Sequence, residues 1–451
     1  MTNFRLLIMA VIMLCGMLAP AAQAARASVI SQTKPAGPLT LDQCISIALM
    51  QHPKTTVAQQ RVAEAQERLA MRKGVKLPQL GFRTEAQRYD SLPGNKANII
   101  GGGNTDVYSA VTLSTLLFSS GRAEADIDSA SASMYATVED MRRTRQDIAF
   151  SVARAYYNVL RAETILAART EAVAQMEQHL KIAQEKFNVG KAAKLDVLRA
   201  EVQLADVTQA RLLAANQLDI AGLELANSMG VDPDLYQTVP AKDDTPAASF
   251  SDAGEFVTEA LKAHPDYLKS ALLVRSAESS VRSAKGESGP ELGIIGSYNR
   301  EGKDIPDIQN WNVGFAVTMP IYTGGVTRAK VGQARAVVEQ SKANGDLSKQ
   351  NITLAVRSAV LSTQDAANRL QATSKSIEQA SEALRVAQEK YNAGLGSSTE
   401  VIDTQVALTQ AETNYANALY DGKIALAQLS YAVGRDPEFT DAESTTGGTE
   451  K

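Results

Sequence analysis

The most extended pattern along the chain is a seven-residue spacing of apolar positions in two separate stretches. In the first stretch it runs through Val152, Val159, Leu166, Val173, Leu180 and Phe187. In the second it runs through Val356, Thr363, Leu370, Ile377, Leu384 and Tyr391. A sustained heptad predicts coiled-coil packing of long helices. One of them, over about 122–188, would be roughly 100 Å long at about 1.5 Å per residue.

Alternation of apolar and polar residues predicts two short strands ahead of each long helix. Before the second long helix, the alternation runs through Trp311, Val313, Phe315 and Val317. Before the first, it covers Leu80–Ala86 and Val107–Leu117. Roughly ten such residues with one apolar face fit a tilted outer-membrane strand. A soluble hairpin shows the same alternation, so the pattern alone leaves both alternatives open.

The chain consists of two repeats of the same order of elements. The segment Ala48–Pro53 returns 212 positions later as Ala260–Pro265, with Ala-Leu and His-Pro conserved between them. The segment Ala183–Gly190 returns 204 positions later as Ala387–Gly394, with six of eight residues identical. Because the offset changes between positions 90 and 106, one repeat has a longer loop there.

The repeats set the predicted boundaries at 40–233 and 252–437, with a linker over 234–251 and a polar tail over 438–451. Each repeat is predicted to open with a short helix, and a second helix then starts at Pro53 or Pro265. A strand pair, the long helix and a shorter return helix follow. The second helix and the return helix, stacked end to end, would nearly match the long helix in length.

The first residues predict export across the inner membrane. Arg5 precedes the apolar stretch Leu6–Leu18, and Ala22–Ala24 has the small-x-small form of a signal-peptidase site. We therefore predict a signal peptide over 1–24 and an N-terminal extension over 25–39. No later stretch approaches about 18 apolar residues, so no inner-membrane helix is expected.

Charge and motif content argue against several classes of function. With 46 Lys and Arg against 50 Asp and Glu, the chain is slightly acidic, which argues against a nucleic-acid partner. The sequence shows no Ser/His/Asp set, phosphate-binding loop or zinc motif, so we expect neither an enzyme nor a cofactor. We expect no metal site either, because His52, His179 and His264 have no partner at metal-ligand spacing.

Four strands in one chain cannot close a barrel, and lipid does not tolerate open sheet edges. Copies of the chain must therefore share one barrel. Two copies would give eight strands, whose interior is filled by side chains, whereas three would give twelve and leave a lumen. The long helices would then continue as a tube on one side of the membrane.

Several motifs together resemble the TolC family of outer-membrane efflux and secretion ducts. They are Leu77–Gly81, Ala155–Leu160, Phe187–Gly190 and Pro320–Gly325. The resemblance covers nearly all of the mature chain. It implies a mainly α-helical tandem-repeat protomer with a small membrane β part. Three protomers would share a twelve-stranded outer-membrane β-barrel that continues as a long periplasmic α-helical coiled-coil barrel.

The resemblance also implies a function. The homotrimer would be an exit duct in the outer membrane of a Gram-negative bacterium, surrounded by membrane lipid. Its periplasmic tip would open when a periplasmic adaptor (a membrane fusion protein) and an inner-membrane ABC, RND or MFS transporter dock. Drugs, metals and secreted proteins all remain open as the exported substrate.

The resemblance assigns roles to residues near the helix turns. Glu400 and Asp403 would ring the periplasmic aperture, although acids at the start of a helix also stabilise its dipole. Tyr391 and Asp196 would form the gate latch. Gly396 stands where the family has a basic residue, which implies that one latch contact is missing.

The turns themselves carry a third predicted site. Gly190, Gly394 and Leu395 would contact the adaptor, in addition to the C-capping role that glycine has at a helix end. The main alternative for the whole chain is a periplasmic coiled-coil adaptor protein. Such a protein would share the signal peptide and the helical hairpins but would lack paired membrane strands.

Overall fold

Two successive sets of elements follow the same order along the chain. The structure is a computed structural model, and it describes residues 39–88, 105–232, 253–302 and 308–436. The first set is α1 (Leu41–Gln51), α2 (Pro53–Gly74), β1 (Gln79–Arg88), β2 (Thr105–Phe118), α3 (Arg122–Asn188) and α4 (Lys194–Met229). The second set is α5 (Ala253–Ala263), α6 (Pro265–Gly286), β3 (Glu291–Gly302), β4 (Ile308–Thr318), α7 (Val326–Ala393) and α8 (Ser398–Val433).

Some predicted segments lie outside the described residues. They are the signal peptide 1–24, the extension up to residue 38, the linker 234–251, the tail 438–451 and most of the loop of changing length before β2. Of the helices that the structure does describe, none combines the length and the apolar character needed to cross a membrane.

Local sequence signals start the short helices. At α1 the Thr40 N–H donates to Gln43 Oε1 over 3.0 Å, and the Gln43 N–H donates to Thr40 Oγ1 over 3.4 Å, a reciprocal capping box. Proline occupies the first position of both α2 and α6, as predicted. The preceding histidine caps each helix, since Nδ1 of His52 accepts from the Lys54 N–H at 3.1 Å.

The shorter helices meet end to end beside the long ones, as the sequence predicted. Gly230 ends α4 at φ +71°, and a Cβ there would lie 2.7 Å from the Cα of His52, which caps α2. Gly434 ends α8 at φ +82°, and a Cβ there would lie 2.8 Å from the Cα of His264, which caps α6. We call these contacts the first and second helix joints. Glycine is required at both joints because φ is positive there and because the neighbouring histidine leaves no space for a Cβ.

Side chains from α3 enclose the second helix joint. His264 is buried, and its Nδ1 accepts from the Asp266 N–H at 3.2 Å. Arg143 lies 3.3 Å from His264 Nε2 and stacks 3.9 Å above the Tyr431 ring. Burial, followed by the positive charge of Arg143, lowers the pKa of His264 to about 4. Asp266 acts in the opposite direction.

This joint makes stability depend on pH. The remaining charges near His264 are Arg142, which lowers its pKa further, and Asp147, which raises it. Because the unfolded histidine binds a proton near pH 6.5 and the folded one near pH 4, its contribution is complete above pH 6.5 and lost as the pH falls towards 4. We expect protonation of His264 on acidification across this range to remove roughly 3 kcal/mol from the free energy of unfolding.

The measurement is unfolding at a series of pH values for the wild type and for His264→Asn. Asparagine preserves a capping side chain but does not titrate in this range. The difference between the two proteins should shrink as the medium is acidified, while other titrating groups cancel. A constant difference would show that His264 does not carry the pH dependence.

The heptad positions form the core between the long helices and their neighbours. Buried heptad residues are Val152, Val159, Val173, Val356, Thr363, Leu384 and Tyr391. The helix α3 packs against α4, α6 and α8, and α7 packs against α8 and α6. The last heptad position differs between the repeats, because Tyr391 is 5% exposed whereas Phe187 is 41% exposed.

The four strands form one antiparallel sheet in the order β1-β2-β3-β4. Leu80 of β1 lies opposite Leu113 of β2, and Gly296 of β3 lies opposite Val313 of β4. The central pair, β2 with β3, joins the two repeats and contains an irregularity between Leu116 and Phe118.

Candidate functional site

One face of the sheet is apolar and exposed in the single chain. The register places on this face Leu80, Phe82, Val111, Leu113, Ile294, Trp311, Val313, Phe315 and Val317. Trp311 and Phe315 are each 75% exposed. A largely apolar exposed surface of this kind marks contact with lipid or another apolar partner.

The opposite face is polar and internally hydrogen-bonded. The Tyr108 hydroxyl donates to Asn299 Oδ1 over 2.9 Å, and Asn299 Nδ2 donates to Asn310 Oδ1 over 2.8 Å. Asn312 Nδ2 donates to Ser297 Oγ over 2.9 Å. This division between faces is typical of strands that separate lipid from an aqueous lumen.

Both edges of the sheet are open within the described residues, since β1 and β4 each have only one neighbouring strand. The outer edges therefore carry backbone N–H and C=O groups without a partner strand from this chain. In contact with lipid, such groups would each cost several kcal/mol, on the order expected for unpaired amides. The sheet is therefore incomplete as a membrane structure until other strands pair with it.

The helix turns lie where the sequence predicted them. Gly190 follows α3 at φ +73°, and Gly394 follows α7 at φ +78°. Leu395 is 83% exposed beside the second turn. A Cβ added at Gly396 would lie 3.1 Å from the backbone nitrogen of Tyr391, so a side chain at this position would be crowded. Gly396 therefore contributes no side-chain contact to the turn.

Tyr391 lies in a cluster that sequence reasoning did not identify. Its ring centroid is 5.0 Å from that of His179 and 4.0 Å from Lys186 Nζ, both on α3. His179 Nε2 also lies 2.9 Å from Ser398 Oγ at the start of α8. The buried Tyr391 hydroxyl has no hydrogen-bond partner of normal geometry among the described residues.

The predicted latch pair, Tyr391 with Asp196, is not joined by a hydrogen bond in the part of the chain that the structure describes. Burial raises the pKa of Tyr391, the negative charge of Asp196 raises it further, and Ser398 opposes the rise. Asp196 Oδ2 accepts from the Ala193 N–H at 3.3 Å and so caps α4. In this conformation Asp196 acts on Tyr391 through its charge alone.

The predicted aperture residues Glu400 and Asp403 are both exposed at the start of α8. The Ser397 hydroxyl accepts from the Glu400 N–H at 3.2 Å, which caps the helix. Lys390 Nζ lies 3.7 Å from Glu400 Oε1 and offsets part of its charge. Lys390 belongs to the repeated segment Ala387–Gly394, where a Glu-Lys pair stands at the same place as in Ala183–Gly190, but the spacing alone does not show that it pairs with Glu400.

A groove of about 630 Å³ lies between α3 and α7 next to the Tyr391 cluster. Its walls include Glu171, Gln175, Arg385 and Glu412. Across the described ranges, no group of three or more His, Cys, Asp or Glu side chains is arranged to hold a metal ion. His179, the one histidine of the groove wall, is occupied by its contacts with Ser398 and Tyr391.

The sequence is similar to those of curated outer-membrane proteins. The outer membrane efflux protein BepC of Brucella suis biovar 1 is 25% identical over 228 residues, which cover 50% of this chain and 49% of BepC. The aligned region thus spans about half the length of that curated relative. The Vibrio cholerae protein TolC is 22% identical over 299 residues, covering 64% of this chain and 68% of that protein.

A solved structure gives the same fold. VceC, an outer membrane protein of Vibrio cholerae, has a TM-score of 0.75 at 19% sequence identity, covering 87% of this chain and 96% of VceC. The model of the family described as outer membrane efflux protein matches residues 44–231 and 256–435, one segment in each repeat. With most of both repeats matched, the chain belongs to the outer membrane efflux protein family.

Proposed function

We propose that the protein is the outer-membrane exit channel of a tripartite efflux or type I secretion system in a Gram-negative bacterium. One observation carries the proposal: a four-stranded sheet with an apolar face, a polar face and two open edges adjoins two long helical hairpins. The polar face suits a water-filled lumen and the apolar face suits lipid. A channel needs no catalytic group, in keeping with a family of efflux proteins.

Three copies of the chain complete the barrel. Pairing β4 of one copy with β1 of the next removes every open edge, and three copies supply twelve strands. Eight strands from two copies would enclose little more than their own side chains. The homotrimer is therefore the smallest closed assembly that leaves a conducting lumen.

An apolar stripe on α7 supports the same assembly. Leu347, Leu354 and Leu361 recur every seven residues, and in the single chain they are 55%, 69% and 64% exposed. On α4, Val202 and Leu213 are similarly exposed. Exposed heptad stripes are the surfaces through which helices of separate chains pack in coiled coils. A neighbouring copy would cover these stripes in a helical barrel.

The hairpin turns are the surface that we assign to the adaptor. Gly190, Gly394 and the exposed apolar Leu395 lie at the ends of the hairpins, opposite the strands. An adaptor bound there would connect the channel to an inner-membrane ABC, RND or MFS transporter. Movement of the hairpins on docking would open the tip. Glu400 and Asp403 of three copies would form the aperture there. Tyr391 and Asp196 would form the gate latch.

The alternative, a periplasmic coiled-coil adaptor, is disfavoured by the paired strands and by membership of the efflux family. One experiment separates the two functions. Membranes containing the protein are washed with urea, solubilised in detergent and analysed by native mass spectrometry. We expect the protein to stay with the washed membranes and to be released as a trimer, because its barrel is integral and shared.

Release into the urea wash would support the adaptor instead. A stable folded monomer in detergent would contradict the shared barrel, since the open edges of β1 and β4 could not then be paired in lipid. As the control for the mass assignment, the sample is denatured and the mass of the dissociated monomer is measured.

A further inference from the structure

Lys186 connects the two hairpins directly. It lies in the last turn of α3, and its Nζ donates to the backbone carbonyl of Tyr391 in α7, 205 positions further along the chain. The same Nζ is 3.5 Å from the carbonyl of Asn392 and 4.0 Å from the centroid of the Tyr391 ring. One ammonium group therefore contacts two carbonyls and one aromatic face of the opposite hairpin.

The chemistry of these contacts favours a cation. The carbonyls of the last helical turn carry the negative end of the helix dipole, and the Tyr391 carbonyl accepts from the Gly394 N–H as well as from Lys186. The Tyr391 ring adds a cation–π contact in a partly desolvated setting. Burial lowers the pKa of Lys186, and the positive charge of the nearby Lys191 lowers it further.

Among the described residues, the equivalent lysine of the second repeat makes no such connection. Lys390 corresponds to Lys186 in the repeated Glu-Lys motif, but its side chain is 52% exposed and pairs with Glu400 of its own hairpin. Tyr391 is buried where its counterpart Phe187 is exposed. A lysine of the first hairpin therefore contacts the second hairpin, whereas the equivalent lysine of the second hairpin stays within its own.

A neutral contact lies beside the charged one. His179 of α3 is 2.9 Å from the Ser398 hydroxyl of α8, and Ile182 of α3 packs against the apolar cluster around Tyr391. The Tyr391 hydroxyl makes no hydrogen bond of normal geometry among the described residues. A second cation, Arg199 of α4, donates to Thr399 Oγ1 at the start of α8 over 2.7 Å. Lys186 differs from Arg199 because its ammonium contacts main-chain carbonyls and the Tyr391 ring at the end of α7.

We propose that Lys186 is a positioning residue that holds the end of α7 in the second hairpin (α7–α8) against the first hairpin (α3–α4) and so keeps the tip of the channel closed. The proposal rests on the proposed channel function for its effect on conductance. The contact between the hairpins does not depend on that function, so it can be measured separately.

The test compares Lys186→Met with Lys181→Met in the full-length trimer. Methionine keeps most of the aliphatic length and removes the charge and the donors, and Lys181 lies exposed on the same helix. In planar bilayers without adaptor, Lys186→Met should raise the resting open fraction about tenfold, because a charge-assisted hydrogen bond and a cation–π contact are lost. Lys181→Met should match the wild type, and Lys186→Arg should restore most of the closure.

A second readout is hydrogen–deuterium exchange over residues 384–402. Lys186→Met should speed exchange there, with an unchanged melting temperature, while Lys181→Met should not.

Unchanged exchange in Lys186→Met overturns the proposal whatever the conductance. A Lys186→Met channel whose resting open fraction is no higher than that of Lys181→Met would also overturn it. A wild type that never conducts, with faster exchange in Lys186→Met, would overturn the channel function but leave the contact between the hairpins standing.

Discussion

Replacing Gly434 by alanine is expected to lower the free energy of unfolding by about 3 kcal/mol. Part of the loss, about 1–2 kcal/mol, comes from placing a side chain at a positive φ. The remainder comes from overlap, because the new Cβ would lie 2.8 Å from the Cα of His264. The backbone of α6 cannot move away without disturbing the contacts of His264 with Arg143.

Gly190→Ala provides the matched control. Gly190 has nearly the same backbone angle, φ +73°, but a Cβ there would meet nothing within 4 Å. The free energy of unfolding of Gly190→Ala should therefore fall only by the cost of a side chain at positive φ, about 1–2 kcal/mol. Thermal unfolding followed by circular dichroism in detergent should show a clearly larger shift for Gly434→Ala. Equal shifts for the two variants would mean that the second helix joint adjusts without strain.

Neutralising the proposed aperture with Glu400→Gln and Asp403→Asn is expected to abolish cation selectivity and to weaken block by divalent ions about tenfold. Both carboxylates are exposed on one face of α8, and a trimer would repeat them around the opening. Two such charges about 8 Å apart repel by roughly 2 kcal/mol at an effective dielectric of about 20. A ring of them attracts cations for the same reason.

Single variants refine this expectation. Because Lys390 lies 3.7 Å from Glu400, Asp403→Asn should have the larger effect, and Lys390→Gln should increase selectivity. Single-channel recording gives both quantities, and native mass spectrometry checks that the trimer remains intact. If the carboxylates only support the start of α8, the double variant should instead keep its selectivity and lose about 0.3–1 kcal/mol of stability per site.

Local physics explains why much of the fold could be predicted from the sequence. The ends of α3 and α7 follow from glycines at positive φ, and the starts of α2 and α6 follow from His-Pro pairs. Heptad spacing predicted the buried seam, and period-two alternation predicted the two faces of the sheet. Each of these signals lies within one element and needs no knowledge of its neighbours.

The contact of Lys186 with Tyr391 at the hairpin tips could not be predicted in the same way. Lys186 and Lys390 occupy the same place in nearly identical segments, yet one reaches across to the opposite hairpin and the other does not. The difference arises from packing, because Tyr391 is 5% exposed and contacts Lys186 and His179 of α3, whereas Phe187 is 41% exposed. Repeats give equal sequence signals to positions that the tertiary structure makes unequal.

The helix joints have a consequence for the order of folding. The helices that meet at each joint are far apart in sequence, because His52 and Gly230 are separated by 178 positions and His264 and Gly434 by 170. Closing a chain segment of that length costs entropy before any contact compensates for it, whereas α3 with α4 and α7 with α8 can form from neighbouring residues. The joints are therefore late contacts, and weakening one should accelerate unfolding while leaving the folding rate nearly unchanged.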